Sequence, residues 1–398
     1  MNLIERPLYL ERMRALEGTP DIKVVTGMRR SGKSTIMEAF ADEVRRKRPG
    51  ANVVYIDLLD LDNEGLLEYH ELHSRVAGSY APGGPNYLFV DEVQLCEGFE
   101  KAINSLHARG GWDIYLTGSN AFLLSSDLAT LFTGRHVELH VLPFGLEECL
   151  RYRGAPASDA DALLDEYVRR GGLAGSYAYS DERDAAGYVR DVYRTVIMRD
   201  LAQKYKLPDT AMLERLAEFM LDNAGNLNSP NRIADSLTAA GSQANHVTIG
   251  RYIGYLEDAF MFYGAKRYDI RGKKRLETIE KHYVADTGMR YAVLGTRNMD
   301  WGRMYENLVY LELVRRGWEV YVGKLYQKEV DFVARRGSEQ VYLQVSDDVS
   351  DPATLKRETS PLLAIRDAYP KVLVARTGHP EYTVDGVVVA NLADWLVA

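Results

Sequence analysis

Four nearly continuous apolar runs, "IKVVTG", "NVVYIDL", "NYLFVDE" and "WDIYLTGS", punctuate the first 120 residues, and a fifth, "HVELHVLPF", follows them. A strand covered on both faces needs such a run, because neither side of its pleat meets water. Helical or loop stretches separate the runs, which is the pattern of a parallel α/β sheet. From about residue 150 the spacing changes to that of helices, in "DADALLDEYVRRGG", "GYVRDVYRTVIMRDLAQKYKL" and "TAMLERLAEFMLDNAG". Further on, Ser229 and Pro230 make an N-cap and N1 pair, Gly241 is a stop, and Ile249, Tyr252, Ile253, Leu256 and Ala259 share one face of a second helix. Two helices joined by a short turn, then two strand-like runs around the basic "RGKKR", predict a winged helix-turn-helix. The last hundred residues read as a helix, "MYENLVYLELVRRG", three strands, "WEVYVGKL", "KEVDFVARRG" and "EQVYLQV", a helix, and a strand "KVLVAR".

A length of 398 residues suggests two to four domains. The divisions expected are a core over 1–150, a helical lid over 151–208, a winged helix over 209–297 and a small α/β domain over 298–398. The composition, 46% hydrophobic and 27% charged, is that of a globular chain rather than a disordered one. No apolar stretch approaches the roughly 20 residues that span a bilayer, and "MNLIERPLYLERMRA" carries acids that a secretory signal lacks, so a cytoplasmic location is expected. Cys96 and Cys149 match no zinc spacing and are expected as reduced thiols. The net charge of −8 argues against a surface that coats nucleic acid, so any DNA contact needs a local basic patch.

Chemistry concentrates in "VVTGMRRSGKSTIMEAF", residues 24–40. Gly27 to Ser34 fits G-x-x-x-x-G-K-[ST] with a strand before it and a helix after it. Glycines let successive amides turn inward to phosphate oxygens, and the helix adds the positive end of its dipole. Gly27, Arg30, Ser31, Gly32, Lys33, Ser34 and Thr35 are therefore candidates for binding ATP, with Lys33 on the β- and γ-phosphates and Ser34 on Mg²⁺. "YLFVDE" ends a buried strand in Asp91, the second candidate for Mg²⁺, and Glu92, a candidate general base. The paired acids favour hydrolysis over transfer to an acceptor. "IYLTGSN" offers Ser119 and Asn120 beside the γ-phosphate, or else an ordinary turn. Arg135 in "LFTGRHVEL" is a candidate arginine finger for a neighbouring subunit.

Taken in order, "GMRRSGKST", "YLFVDEVQ", "TGSNAFLLSSDLATLFTGRHVELHVLPFGLEE", "GGL" and "ENLVYLEL … EVDFV" resemble bacterial and archaeal AAA+ ATPases of the AAA_14 type with a C-terminal DUF4143 domain. The resemblance implies an ASCE-type P-loop NTPase core with a helical lid, a winged-helix region and a terminal domain similar to PD-(D/E)xK nucleases. It gives Asn120 the sensor role and implies assembly into homo-oligomers. In such nucleases a helix acid, two strand acids and a lysine collect and use Mg²⁺. Here Glu306 and Asp331 are present, whereas "QVS" puts Gln344 and Ser346 where Glu and Lys are required, which argues against cleavage. Duplex DNA is a candidate partner through Arg251, Arg271, Lys273, Lys274 and Arg275, with His246 and Thr248 on the same second helix. The expected activity is Mg²⁺-dependent ATP hydrolysis that moves the later domains. A nucleotide-gated binding switch with slow turnover and an ATP-driven nuclease are the rival readings.

Overall fold

The computed structural model describes residues 4–118, 132, 134–207, 210–296 and 300–398. The chain divides into two compact units, one formed by residues up to Val141 with Gln203–Tyr205, the other by Leu142–Ala202 with Lys206–Ala398.

In the first unit, strands β1 (Ile22–Thr26), β2 (Asn52–Asp57), β3 (Asn86–Asp91), β4 (Trp112–Thr117) and β5 (His136–His140) form one sheet in the order β2-β3-β4-β1-β5. All neighbours are parallel. The two faces explain the unbroken apolar runs. Val24, Leu88, Val90, Ile114 and Leu116 pack toward helices α3 (Tyr69–Gly78) and α4 (Phe99–Arg109), whereas Val25, Phe89 and Tyr115 pack toward α1 (Pro7–Leu16) and α2 (Lys33–Lys47). Alternate side chains thus enter two separate cores. The order places β4 between β1 and β3, so the end of β4 lies between the loop that follows β1 and the acids that end β3. This is the parallel α/β core expected of a P-loop NTPase.

The second unit joins helices to a nine-stranded mixed sheet. Its strands are β6 (Leu227–Asn228), β7 (Phe262–Asp269), β8 (Lys274–Val284), β9 (Glu319–Leu325), β10 (Lys328–Arg336), β11 (Glu339–Ser346), β12 (Lys371–Ala375), β13 (Tyr382–Val384) and β14 (Val387–Asn391). They run in the order β13-β14-β12-β11-β10-β9-β7-β8-β6. Two helices stand where the helix-turn-helix is expected, Pro230–Ala239 and His246–Asp258, the first capped by the Ser229 hydroxyl accepting from Arg232 N at 3.4 Å. Ile249, Tyr252, Ile253, Leu256 and Ala259 are all buried. The β7–β8 pair differs from a free-standing wing. Arg267–Asp269 of β7 pair in parallel with Val322–Lys324 of β9, so the stretches expected as winged-helix and terminal domains share one sheet. An edge strand with open backbone groups gains by pairing, and β9 supplies the partner. Among the described residues no helix is long and apolar enough to cross a membrane.

The glycines of "GGL" have a steric reason. A Cβ on Gly172 would lie 2.1 Å from Phe144 O, and one on Gly171 would lie within bonding distance of the Asp286 carboxylate. That carboxylate is buried and accepts from Gly172 N at 2.7 Å; burial lifts its pKa to about 6 against the pull of backbone amides.

Candidate nucleotide and metal site

Between β1 and α2 the chain must turn back on itself within six residues. Gly27 takes φ +137° and Gly32 φ +95°, conformations that favour glycine. At Gly27 space also excludes a side chain, since a Cβ would meet Val141 O at 2.1 Å. Arg30 adopts φ +66° and is exposed. Lys33 is buried at the N-terminus of α2, and its ammonium donates to Gly27 O at 3.0 Å and Met28 O at 3.1 Å, so it reaches back across the loop. The Ser31 hydroxyl is buried without a hydrogen-bond partner among the described residues. Ser34 and Thr35 are exposed on the first turn of α2. Arg6 completes the loop: its buried guanidinium donates to Ser31 O at 2.8 Å and lies 4.4 Å from the centre of the Tyr9 ring. The sequence carries no signal for that contact, because the two residues stand 25 positions apart.

Asp91 and Glu92 meet the loop from β3. Asp91 is buried, and burial raises its pKa, opposed by hydrogen bonds from the hydroxyls of Thr117 and Ser34. Ser34 and Asp91, the two residues expected to hold Mg²⁺, are therefore close enough for the hydroxyl to favour the ionised carboxyl. Thr117, at the end of β4, donates to Asp91 Oδ1 and accepts from Glu92 N at 3.1 Å. Tyr55 on β2 approaches Asp91 Oδ2 at 3.5 Å. Glu92 stands at φ +53°, where a non-glycine residue costs energy and needs its surroundings to hold it. The amide's hydrogen bonds to Thr117 and to Asp91 Oδ1, at 3.1 Å, do so. Its carboxylate accepts from Gln94 Nε2. Thr117 escaped the sequence reading although "LTGSN" contains it, since only its place between β1 and β3 reveals the task.

Donor chemistry fits a magnesium nucleotide. A hard cation takes oxygen ligands, and a hydroxyl and a carboxylate at the mouth of a glycine-rich loop supply two. Asn120 and Ser119 lie outside the described residues. Arg135 is exposed and sits just before β5, its carbonyl accepting from Ile22 N at 3.0 Å. It thus stands at the sheet edge where β1 begins, roughly 15 Å by strand rise from the loop where β1 ends. It cannot touch a phosphate in its own subunit's loop.

The second unit gathers the other singled-out acids. Lys281 on β8 bridges Glu306 at 2.8 Å and Glu329 at 2.8 Å, with Asp331 at 3.8 Å. Tyr283 donates to Glu306 at 2.6 Å. Burial disfavours the Lys281 ammonium, but the three carboxylates outweigh it and raise its pKa; burial and Glu306 push Asp331 well up. Gln344 accepts from Asp331 N at 3.3 Å and donates to Glu358 at 3.3 Å, while Ser346 turns to Asp348 O. Glu306 and Asp331 carry a signal in the sequence; the lysine between them does not, because it comes from 25 residues before the one and 50 before the other. His246, Arg251, Arg271, Lys273, Lys274 and Arg275 are exposed, Thr248 is half-buried, and Arg275 is partly engaged by Glu319 at 3.4 Å.

The loop, the paired acids and the strand order define a P-loop domain of the AAA+ type. Residues 19–150 match the family model AAA_14, described as an AAA domain. Residues 161–300 match DUF8612, a domain of unknown function, where the resemblance had implied a DUF4143 protein. An uncharacterized protein of Haemophilus influenzae is 33% identical over 399 residues, covering 99% of each chain. The chain belongs to one family with that protein, a family built on an AAA domain. The uncharacterized protein MJ1544 of Methanocaldococcus jannaschii is 27% identical, over 78% of this chain and 71% of its own. Among solved structures the chain is similar to the Walker-type ATPase PABY2304 of Pyrococcus abyssi, with a TM-score of 0.47 and 17% identity over 73% of this chain and 95% of that one.

Proposed function

We propose that the protein binds ATP in the loop between β1 and α2 and hydrolyses it. The observation that carries the reading is the pair of hydrogen bonds by which Thr117 joins Asp91 to the Glu92 amide, with the Ser34 hydroxyl close enough to favour the Asp91 carboxylate. Lys33 and the loop amides of residues 27–35 hold the β- and γ-phosphates, assisted by the dipole of α2. Mg²⁺, held by Ser34 and Asp91, supplies positive charge to the phosphate oxygens. Glu92 takes the proton of the attacking water, and Asn120 orients that water. Arg135 serves the loop of a neighbouring subunit, since it stands at the opposite end of β1 from its own. Hydrolysis drives movement of the second unit, with duplex DNA as a candidate partner through Arg251 and the basic turn from Arg271 to Arg275. Lys281 occupies the centre of the buried acids, a place a nuclease would give to a cation, so the terminal sheet is read as a retained nuclease-like fold used for binding.

The test is phosphate release by wild type, Lys33→Ala and Glu92→Gln. Wild type turns over, Lys33→Ala loses binding and turnover together, and Glu92→Gln binds ATP without hydrolysing it; equal rates in all three would remove the proposal. One contact favours a second reading, a nucleotide-gated switch with slow turnover: Gln94 engages the carboxylate that must act as base. Gln94→Ala should then raise the basal rate several-fold, whereas a fall would count against gating.

A further inference from the structure

The helix His246–Asp258 ends over the β7–β8 pair in the second unit, whereas every residue assigned above to nucleotide chemistry belongs to the first. Its last turn carries Glu257, and β8 carries Glu280 and His282 two positions apart, hence on one face of the sheet. One ligand atom from each of the three lies within 4.8 Å of the others. Gly264, opposite His282 in the ladder, makes the convergence possible. A Cβ there would stand 2.5 Å from Glu257 Oε1 and 2.9 Å from Glu280 Oε2.

His282 is only 9% exposed, and its Nε2 stands 3.6 Å from Glu257 Oε1, beyond hydrogen-bond reach. Burial lowers its pKa to about 4, so the imidazole is a neutral donor of a lone pair rather than a counter-ion. Glu257 is raised to about 7 by burial and by the charge of Glu280, with Asp258 adding to the repulsion. Lys266 lies across the ladder from Glu280 and draws both acids down, but its side chain is exposed. Two carboxylates and a neutral imidazole crowd together here, and among the described residues no ion pair joins either carboxylate to a lysine or arginine.

We propose that Glu257, Glu280 and His282 bind one divalent transition-metal ion, of the Zn²⁺ and Mn²⁺ class, that ties the second helix of the helix-turn-helix to β8. The imidazole sets the class, since Mg²⁺ and Ca²⁺ prefer all-oxygen ligand sets. Three protein ligands leave at least one position to water. The role is to fix the helix that carries Arg251, independently of ATP.

The experiment uses the full chain, stripped with chelator and free of nucleotide, titrated calorimetrically with Zn²⁺, Mn²⁺ and Mg²⁺ and followed by thermal unfolding. Wild type is expected to take up one Zn²⁺ per chain, more tightly than Mg²⁺. Its melting transition should rise by roughly 5 °C at a hundredfold excess of Zn²⁺ over Kd. Glu280→Gln and His282→Gln lose at least tenfold in affinity and lose the rise; Glu257→Gln loses the rise while its metal-free transition is at or above that of wild type. Should His282→Gln fail to fold, the two near-isosteric amide variants decide the matter. No binding by wild type, equal affinity for Mg²⁺ and Zn²⁺, or binding unchanged in both amide variants would overturn the proposal.

Discussion

Thr117→Val removes one oxygen and keeps the shape of a side chain that is fully buried. Its hydroxyl donates to Asp91 Oδ1 and accepts from Glu92 N, so the substitution strips a buried carboxylate of one donor and a strained residue of one anchor. A hydrogen bond to a charged group is worth about 1.5–3 kcal/mol, and Glu92 N keeps its contact with Asp91 at 3.1 Å, so the expected loss of stability is about 2 kcal/mol. The same deletion acts on ionisation. Burial already raises the Asp91 pKa, and the Thr117 hydroxyl opposes that rise. Without it the pKa climbs further, and a protonated Asp91 cannot hold Mg²⁺. Losing that hydrogen bond should move the acidic limb of the ATPase profile to higher pH and raise the Mg²⁺ needed for half-maximal rate. Phosphate release across pH and Mg²⁺ concentration, with denaturant unfolding of the same samples, reads both effects, and Thr117→Ser should restore them. A Val variant with wild-type stability, Mg²⁺ dependence and pH profile would refute the view that this hydroxyl organises the two acids.

Three further outcomes are expected. Gly27→Ala places a methyl 2.1 Å from Val141 O and should abolish nucleotide binding in a filter assay; retained affinity would mean the loop can reshape freely. Lys281→Met leaves the buried acids Glu306 and Asp331 together, beside the part-exposed Glu329, and should destabilise the second unit by about 3 kcal/mol at neutral pH. The cost should shrink in acid as the carboxylates protonate, and a pH-independent cost would contradict the charge account. Glu43 is held near pKa 2 by hydrogen bonds from Arg14, against burial, with help from Lys47. A folded pKa below the ordinary value of 4.5 means the contribution is present above about pH 4.5 and is lost as pH falls toward 2. With Arg14 partly exposed, Glu43→Gln should cost about 1 kcal/mol at pH 7 and progressively less as pH falls through 2, as measured by denaturant unfolding.

The first unit was legible because its signals are local. Val24, Leu88 and Ile114 face one core while Val25, Phe89 and Tyr115 face the other, so each strand announces itself as an unbroken apolar run. The loop was legible for the same reason, since Gly27 and Lys33 are six residues apart. Thr117, Arg6 and Lys281 were not, because each acquires its role from a residue 25 or more positions away. The parallel pairing of β7 with β9 was also hidden: it depends on which sheet edges remain open after the hairpins form, and Arg267 and Val322 bear no mark of each other. Strand β13, with only three residues, is too short to carry a periodic signal of its own.

The central claim, that Ser34 and Asp91 complete a metal centre for a nucleotide held by the loop, is tested most directly with Mn²⁺ in place of Mg²⁺. With the Glu257–Glu280–His282 site filled with Zn²⁺, electron paramagnetic resonance of wild type should show one Mn²⁺ per chain withdrawn from the free pool only when ATP is present, with an affinity that Asp91→Asn and Ser34→Ala each weaken at least tenfold while ATP remains bound. An ATP-dependent Mn²⁺ signal of undiminished affinity in both variants would contradict the account.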